Sequence, residues 1–294
     1  MLTTIQKYRI DIRERLAYGP ALVKQACHRL FHRVLNGPAP TAENVVVSLT
    51  SFPQRLPKLH NCIKTLLDQS LRPEKVILYL ARDECSMEAL PKRLSRMQSD
   101  RFEIRFVDRN TRSLNKICHT LVDFPDKVVV TSDDDKLYPL DWLKSLITNA
   151  KTHPNCIVCN RSRRIVFDAN GRPVPYTQWP PYQQSEPAID ILPMGVGGVV
   201  YPPGCLHPDV LDVDLFMELC PTSDDLWLKI MSLRKGTHSV QVVPVSDPYT
   251  SIPFWAGKKL YHENMLQGGN DKNLANLLEH FNLDLAKLIR DNQL

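Results

Sequence analysis

Between residues 45 and 131 short apolar runs alternate with helical stretches, and this alternation limits the fold more than any other feature of the chain. The pattern predicts strands at 45–49, 75–80, 102–107 and 127–131. Helices are expected at 56–69, 87–97 and, briefly, 114–121. Strands separated by helices imply parallel βαβ units, hence an α/β fold with a Rossmann-like, mostly parallel sheet flanked by helices. In such sheets ligands bind beyond the carboxyl ends of the strands. With 294 residues, 43% of them hydrophobic and 23% charged, the chain is long enough to bury a substantial core.

Ahead of this pattern, residues 1–40 form a distinct extension. Lys7, Arg9, Arg13, Arg15, Lys24, Arg29 and Arg33 interleave with Ile5, Ile10, Leu16, Leu22, Leu30, Phe31 and Leu35. That is a basic amphipathic helical pattern, expected to break at Gly19-Pro20. Such a segment suits an anionic bilayer surface, or packing on the domain or on a second protomer. Asn36-Gly37-Pro38-Ala39-Pro40 then stops the helix. No stretch approaches the roughly 18 apolar residues of a membrane span, so any membrane contact is expected to be peripheral.

The formal net charge of +5 suits anionic small molecules, membranes and nucleic acids alike and selects none. Eight scattered cysteines and a start without signal-peptide character point to a reducing cytoplasm. The one CxxC, Cys156 to Cys159, falls in an apolar stretch with no second pair and reads as core. From 161 to 203 the composition shifts to Pro, Tyr, Trp, Gln and Gly, as expected of loops inserted around further strands.

Chemistry concentrates where strands end. Val128-Val129-Val130-Thr131-Ser132 delivers Asp133-Asp134-Asp135 to an exposed strand terminus. Asp133 and Asp135, two apart, can converge on a hard divalent cation, which takes oxygen ligands and bridges a carboxylate to substrate phosphates. The competing reading is an acidic cap on a helix over 139–151. A second acidic pair, Asp224-Asp225, opens an amphipathic helix after Thr222-Ser223. It reads either as a dipole-stabilising start or as the general base of a group transfer. Asp108, Asn115 and Lys116 follow a strand, with Lys116 a candidate for nucleotide or phosphate contact. Thr50, Ser51, Phe52 and Arg55 form a hydroxyl-rich turn suited to a base and ribose. The glycine pattern of dinucleotide folds and the P-loop lysine motif are both absent.

Taken in order, Thr50-Ser51-Phe52-Pro53, Asn115-Lys116, Asp133-Asp134-Asp135-x-x-Tyr138-Pro139-x-x-Trp142-Leu143, Gly197-Gly198-Val199-x-Tyr201-Pro202-Pro203 and Asp224-Asp225-x-Trp227-Leu228-Lys229 resemble bacterial GT-A-fold glycosyltransferases of the family 2-like type. The resemblance runs from about 45 to 275. It implies a catalytic domain over 41–294, with 41–150 the nucleotide-binding half and 151–294 the acceptor half with C-terminal helices. Asp133 and Asp135 would be the metal ligands of a DxD-type motif, with Asp134 beside them at the donor. Asp224 or Asp225 would be the base, and Gly197 and Gly198 the floor under the sugar. A further metal ligand is often a C-terminal histidine in that family, for which His262 stands, with Asp271 as the other candidate.

The implied activity is inverting transfer from a nucleotide-sugar, uridine-linked by family habit. The cation would be Mn²⁺ or Mg²⁺, and the acceptor a saccharide or lipid-linked glycan in bacterial surface polysaccharide synthesis, such as capsule or lipopolysaccharide. The expected setting is the cytoplasmic side of the inner membrane, with no nucleic-acid partner and with 1–35 as membrane contact or dimer element. A metal-dependent nucleotidyltransferase, a sugar-nucleotide hydrolase and a non-enzymatic carbohydrate-binding protein remain alternatives. Trp179, Tyr182 and Trp227 are the expected stacking platform for a saccharide.

Overall fold

The computed structural model describes residues 4–242, 249–253, 264 and 268–292. The anticipated strands form: β1 is Thr41–Thr50, β2 Arg72–Ala81, β3 Phe102–Val107 and β4 Val128–Thr131. β1 pairs in parallel with both β2 and β4, and β2 pairs in parallel with β3. The strand pair β5 (Lys136–Leu137) and β11 (Thr250–Ser251) lies outside the main sheet, as does the antiparallel ribbon of β7 (Ser162–Arg164) and β8 (Ile191–Pro193). β6 (Ile157–Cys159), β9 (Val199–Tyr201) and β10 (Ser239–Gln241) complete a seven-stranded sheet in the order β10-β6-β9-β4-β1-β2-β3. Only β9 runs antiparallel to its neighbours β4 and β6.

Apolar runs without alternation mark strands covered on both faces, and the sheet is so covered. On one face Val45, Val47 and Leu49 of β1 meet α2 (Leu56–Leu67) and α5 (Trp142–Thr152) through Leu59, Ile63, Trp142 and Leu146. On the other, Val46, Ile77, Tyr79 and Val107 form a smaller cluster. Beside it the α4 helix (Cys118–Asp123) crosses β1 with the buried hydrogen bond from Thr120 Oγ1 to Ser48 Oγ, 2.7 Å. A second large core gathers α6 (Val213–Leu219), α7 (Asp224–Lys235), α8 (Gly269–His280) and α9 (Leu285–Asp291) around Phe216, Trp227, Leu277 and Ile289.

Three expectations are corrected. The helix expected over 87–97 shrinks to one turn, α3 (Lys92–Ser95), because Pro91 sits inside the window, lacks an N–H and adopts ψ 129° immediately before it. The amphipathic helix α1 does not stop at Gly19-Pro20: it runs Thr4–Asn36 with Pro20 inside, so one hydrogen bond is lost without ending the helix. It ends where Gly37 takes φ 71°.

The third correction concerns the saccharide platform. Trp179, Tyr182 and Trp227 are all buried. Trp227 packs edge-on to Phe216 and donates Nε1–H to Val210 O, Trp179 donates to Val174 O, and the Tyr182 hydroxyl donates to Glu186 O. The rings of Trp179 and Trp227 belong to the core, since aromatic rings bury large apolar areas and satisfy their polar tips locally, and the Tyr182 ring is covered by the Arg164 guanidinium. The cysteines behave as read: Cys159 is buried in β6, Cys156 is half-buried and both are free.

Lys229 of α7 is fully enclosed, with its ammonium donating to Ile189 O at 2.6 Å. Burial, only partly opposed by Asp190, lowers its pKa from the ordinary 10.5 to about 7. The unfolded chain therefore holds a proton between pH 7 and 10.5 that the folded chain sheds, so stability rises across that window. Lys229→Met should flatten this slope and stabilise the protein at pH 7 by about 1–4 kcal/mol, read by urea unfolding at several pH values. Unchanged pH dependence would show that the lysine is not held in its neutral form.

Candidate active site

β1 and β4 end side by side, and Ser132 N–H donates to Ser48 O to carry the pairing one residue further. Asp133, Asp134 and Asp135 then turn away from the sheet. Tyr138 closes the turn: its hydroxyl accepts from Asp133 N at 2.7 Å. The triplet does not cap the following helix, because α5 begins seven residues later with Asp141 at its N-cap. Asp134 points inward, accepting from Ser51 Oγ at 2.6 Å and from the Arg55 guanidinium. Arg55 also reaches Asp135 at 3.5 Å, and its own ring contact is with Phe52. Lys136 lies 3.4 Å from the other oxygen of Asp135 and donates to Ser251 Oγ.

The acidic pair of α7 faces this cluster. Ser223 is at the N-cap but its side chain makes no capping bond, and Thr222 Oγ1 accepts from Asn273. Neither carboxylate is spent on its own helix: Asp225 Oδ1 accepts from Gly195 N at 2.9 Å. Lys116, at the end of a short 3-10 helix over Arg112–Lys116, lies between the two groups. Its ammonium is 2.7 Å from Asp224 Oδ2 and 3.9 Å from Asp133 Oδ1. One cation thus bridges the carboxylates of the sheet end and those of the helix start.

Electrostatics follow from that crowding. Burial, reinforced by Asp224, raises Asp225 to about 7, against the pull of Lys116 and the Gly195 N–H. Burial raises Asp133, partly offset by Lys116. Burial likewise lifts Asp134 to about 6 despite Arg55, while Arg55 is held above its ordinary value because Asp134 and Asp135 outweigh its own burial. With the guanidinium and the Ser51 hydroxyl both on Asp134, the pair is ionised at neutral pH. Lys116 stays firmly protonated: burial works against its charge, and Asp224, Asp133 and Asp225 overcome it.

The glycine run sits at the same end because β9 is antiparallel, with Val199 opposite Thr131. Gly197 and Gly198 both take φ 99°. Gly197 O accepts from Trp142 Nε1, Asn160 Nδ2 and the Tyr249 hydroxyl, at 2.6, 2.9 and 3.1 Å. These contacts give the two glycines a packing reason of their own. A Cβ on Gly198 would stand 2.6 Å from Trp142, whereas one on Gly195 would meet the Lys116 ammonium at 2.9 Å and Asp225 Oδ1 at 3.1 Å.

The structure therefore gathers Ser51, Arg55, Lys116, Asp133, Asp134, Asp135, Asp224 and Asp225. Thr50 ends β1 with its hydroxyl donating to Tyr79 O, and Asn115 Oδ1 accepts from Thr111 N and Oγ1, shaping the turn that presents Lys116. Asp108 faces solvent in an ion pair with Arg82. His262 lies outside the described residues. Asp271 accepts from Tyr176 N at 2.7 Å.

Gly195 and Lys136 were not assigned a role from sequence. Only the carboxylate and ammonium neighbours of Gly195 mark it, and those come from distant chain segments. As cation ligands, Asp133 and Asp135 offer hard oxygen donors with loose, long ion pairs. Among the described residues no group of three His, Cys, Asp or Glu is placed to hold a metal. Two carboxylates would suffice only for a cation whose remaining ligands were phosphate oxygens and water.

Gly198→Ala should lose about 2–4 kcal/mol of stability from positive-φ strain and collision with a fully buried ring. Gly195→Ala should lose less, about 1–2 kcal/mol, since it has no positive φ and its new methyl displaces the Lys116 ammonium rather than a ring. Thermal unfolding of the pair checks this, and equal losses would contradict the geometry.

No protein-family model matches the sequence, and no curated protein matches it. Among solved structures the chain is similar to S. aureus TarS 1-349, at 13% identity and TM-score 0.43, over 84% of this chain and 72% of that one. It is equally similar to the same TarS fragment in complex with UDP, over 82% and 72%.

Proposed function

We propose that the chain is a metal-dependent, inverting glycosyltransferase. It moves a sugar from a UDP-sugar to a saccharide or lipid-linked glycan in bacterial surface polysaccharide synthesis, in the cytoplasm. The observation that carries the reading is the meeting of two acidic groups, one at the carboxyl end of β4 and one at the start of α7, across the single ammonium of Lys116. A donor needs its diphosphate held at one place and an acceptor hydroxyl deprotonated at another nearby.

Asp133 and Asp135 would hold the cation, which, when bound, neutralises charge on the departing diphosphate. Arg55 and Ser51 fix Asp134 and with it the course of the acidic turn. In one displacement the acceptor oxygen bonds to the anomeric carbon as the carbon–oxygen bond to the diphosphate breaks. The hydroxyl proton passes to a carboxylate. Asp225 suits that role better than Asp224, which is buried in a 2.7 Å ion pair with Lys116. A carboxylate with pKa about 7 is also a stronger base than an ordinary one. The Gly195 N–H orients it.

The test is incubation with a panel of nucleotide-sugars, with and without glycan acceptors. Acceptor-dependent sugar transfer is expected, with rates rising through about pH 7 as Asp225 loses its proton. Asp225→Asn should lower kcat by ~100-fold or more and leave donor affinity unchanged. Nucleotide-sugar cleavage with no transfer to any acceptor would make the protein a hydrolase instead. Full activity in Asp225→Asn would remove the base.

A further inference from the structure

We propose that α1 is a docking element that lies on an anionic lipid surface with the face opposite its contact with the fold. Tyr18, Ala21 and Leu22 pack toward the core. The Tyr18 hydroxyl accepts from Asn61 Nδ2 at 2.8 Å, and the Lys58 ammonium stands 5.9 Å from the Tyr18 ring. The helix also contacts β11, the partner strand of β5, which follows directly on Asp135. The helix is therefore seated on the fold by one face, on the side that carries the acidic turn.

The other face is apolar and open. Leu16, Val23, Leu30, Phe31, Val34 and Leu35 are each 64–72% exposed, against three further exposed large apolar side chains elsewhere among the described residues. At 3.6 residues per turn these six fall within an arc of about 140°. Lys24 lies at the Phe31 and Leu35 edge of this arc. Clustered exposure of this kind marks an interaction surface, whereas single exposed apolar residues do not.

Charge selects the occupant. From residue 15 to residue 42 the sequence contains no Asp or Glu, while it carries Arg15, Lys24, Arg29 and Arg33. Two copies meeting through this stripe would bring flanking cations together with no carboxylate to pair them, the reverse of a designed helix pair. An anionic bilayer supplies both an apolar layer for the stripe and phosphates for its edges. No described helix is long and apolar enough to cross a membrane, so the helix lies in the interface.

Co-sedimentation of the full chain with lipid vesicles tests this. Vesicles of phosphatidylcholine containing phosphatidylglycerol should retain the protein, and pure phosphatidylcholine vesicles should retain it at least roughly tenfold less, with binding falling as salt rises. Phe31→Ser with Leu35→Ser, both solvent-facing, should weaken binding roughly tenfold or more, and Lys24→Glu should weaken it by a smaller factor. The folded state is verified by an unchanged Tm. Absence of binding to anionic vesicles, or equal binding to neutral ones, would overturn the proposal. So would a wild-type dimer in sedimentation velocity that the double serine variant dissociates, since a second copy would then cover the face.

Discussion

The ammonium of Lys116 is the interaction on which the site depends. Five carboxylates from two distant stretches of chain, 133–135 and 224–225, converge at one end of the sheet, and mutual repulsion at a few ångströms costs several kcal/mol per pair at an effective dielectric near 20. Arg55 and Lys136 answer the charge of Asp134 and Asp135. Among the described residues, Lys116 alone pairs with carboxylates of both stretches. Its position ties the amino end of α7 to the carboxyl end of β4, and so relates the two chemical groups that a transfer reaction would need.

The sheet topology makes that arrangement available. Parallel β1, β2, β3 and β4 all present their carboxyl ends on one side. The antiparallel β9 brings its amino end there too, and with it the glycine run that precedes Val199. Gly195 has no side chain to separate Lys116 from Asp225, and its N–H grips Asp225. Gly197 and Gly198 bind the same loop to Trp142 of α5. Fold stability and site geometry therefore share a few residues but divide them: collision with a ring at Gly198, proximity to charge at Gly195.

Sequence periodicity located β1 to β4 within a few residues, because strands buried on both faces are continuous apolar runs and leave a plain signal. The acidic triplet was legible for the same reason, as polar residues ending such a run. What could not be read depends on long-range placement. Pro20 inside α1 and Pro91 ahead of α3 look alike in sequence, yet the first is spanned by a helix and the second begins one. Trp179, Tyr182 and Trp227 look like a sugar platform in composition, and only their packing shows them enclosed. Asp134 and Asp135 are adjacent, but Ser51 and Arg55, some eighty positions earlier, decide that one turns inward. Gly195 carries no local mark of its neighbours at all.

The proposed function requires the acidic turn after β4 to receive a nucleotide diphosphate through a divalent cation. Calorimetric titration of UDP into the protein, first with Mn²⁺ and then with excess chelator, tests it most directly. Saturable binding is expected with Mn²⁺, lost with chelator and in Asp135→Ala. Binding of equal strength with and without the cation, or retained in full by Asp135→Ala, would contradict it.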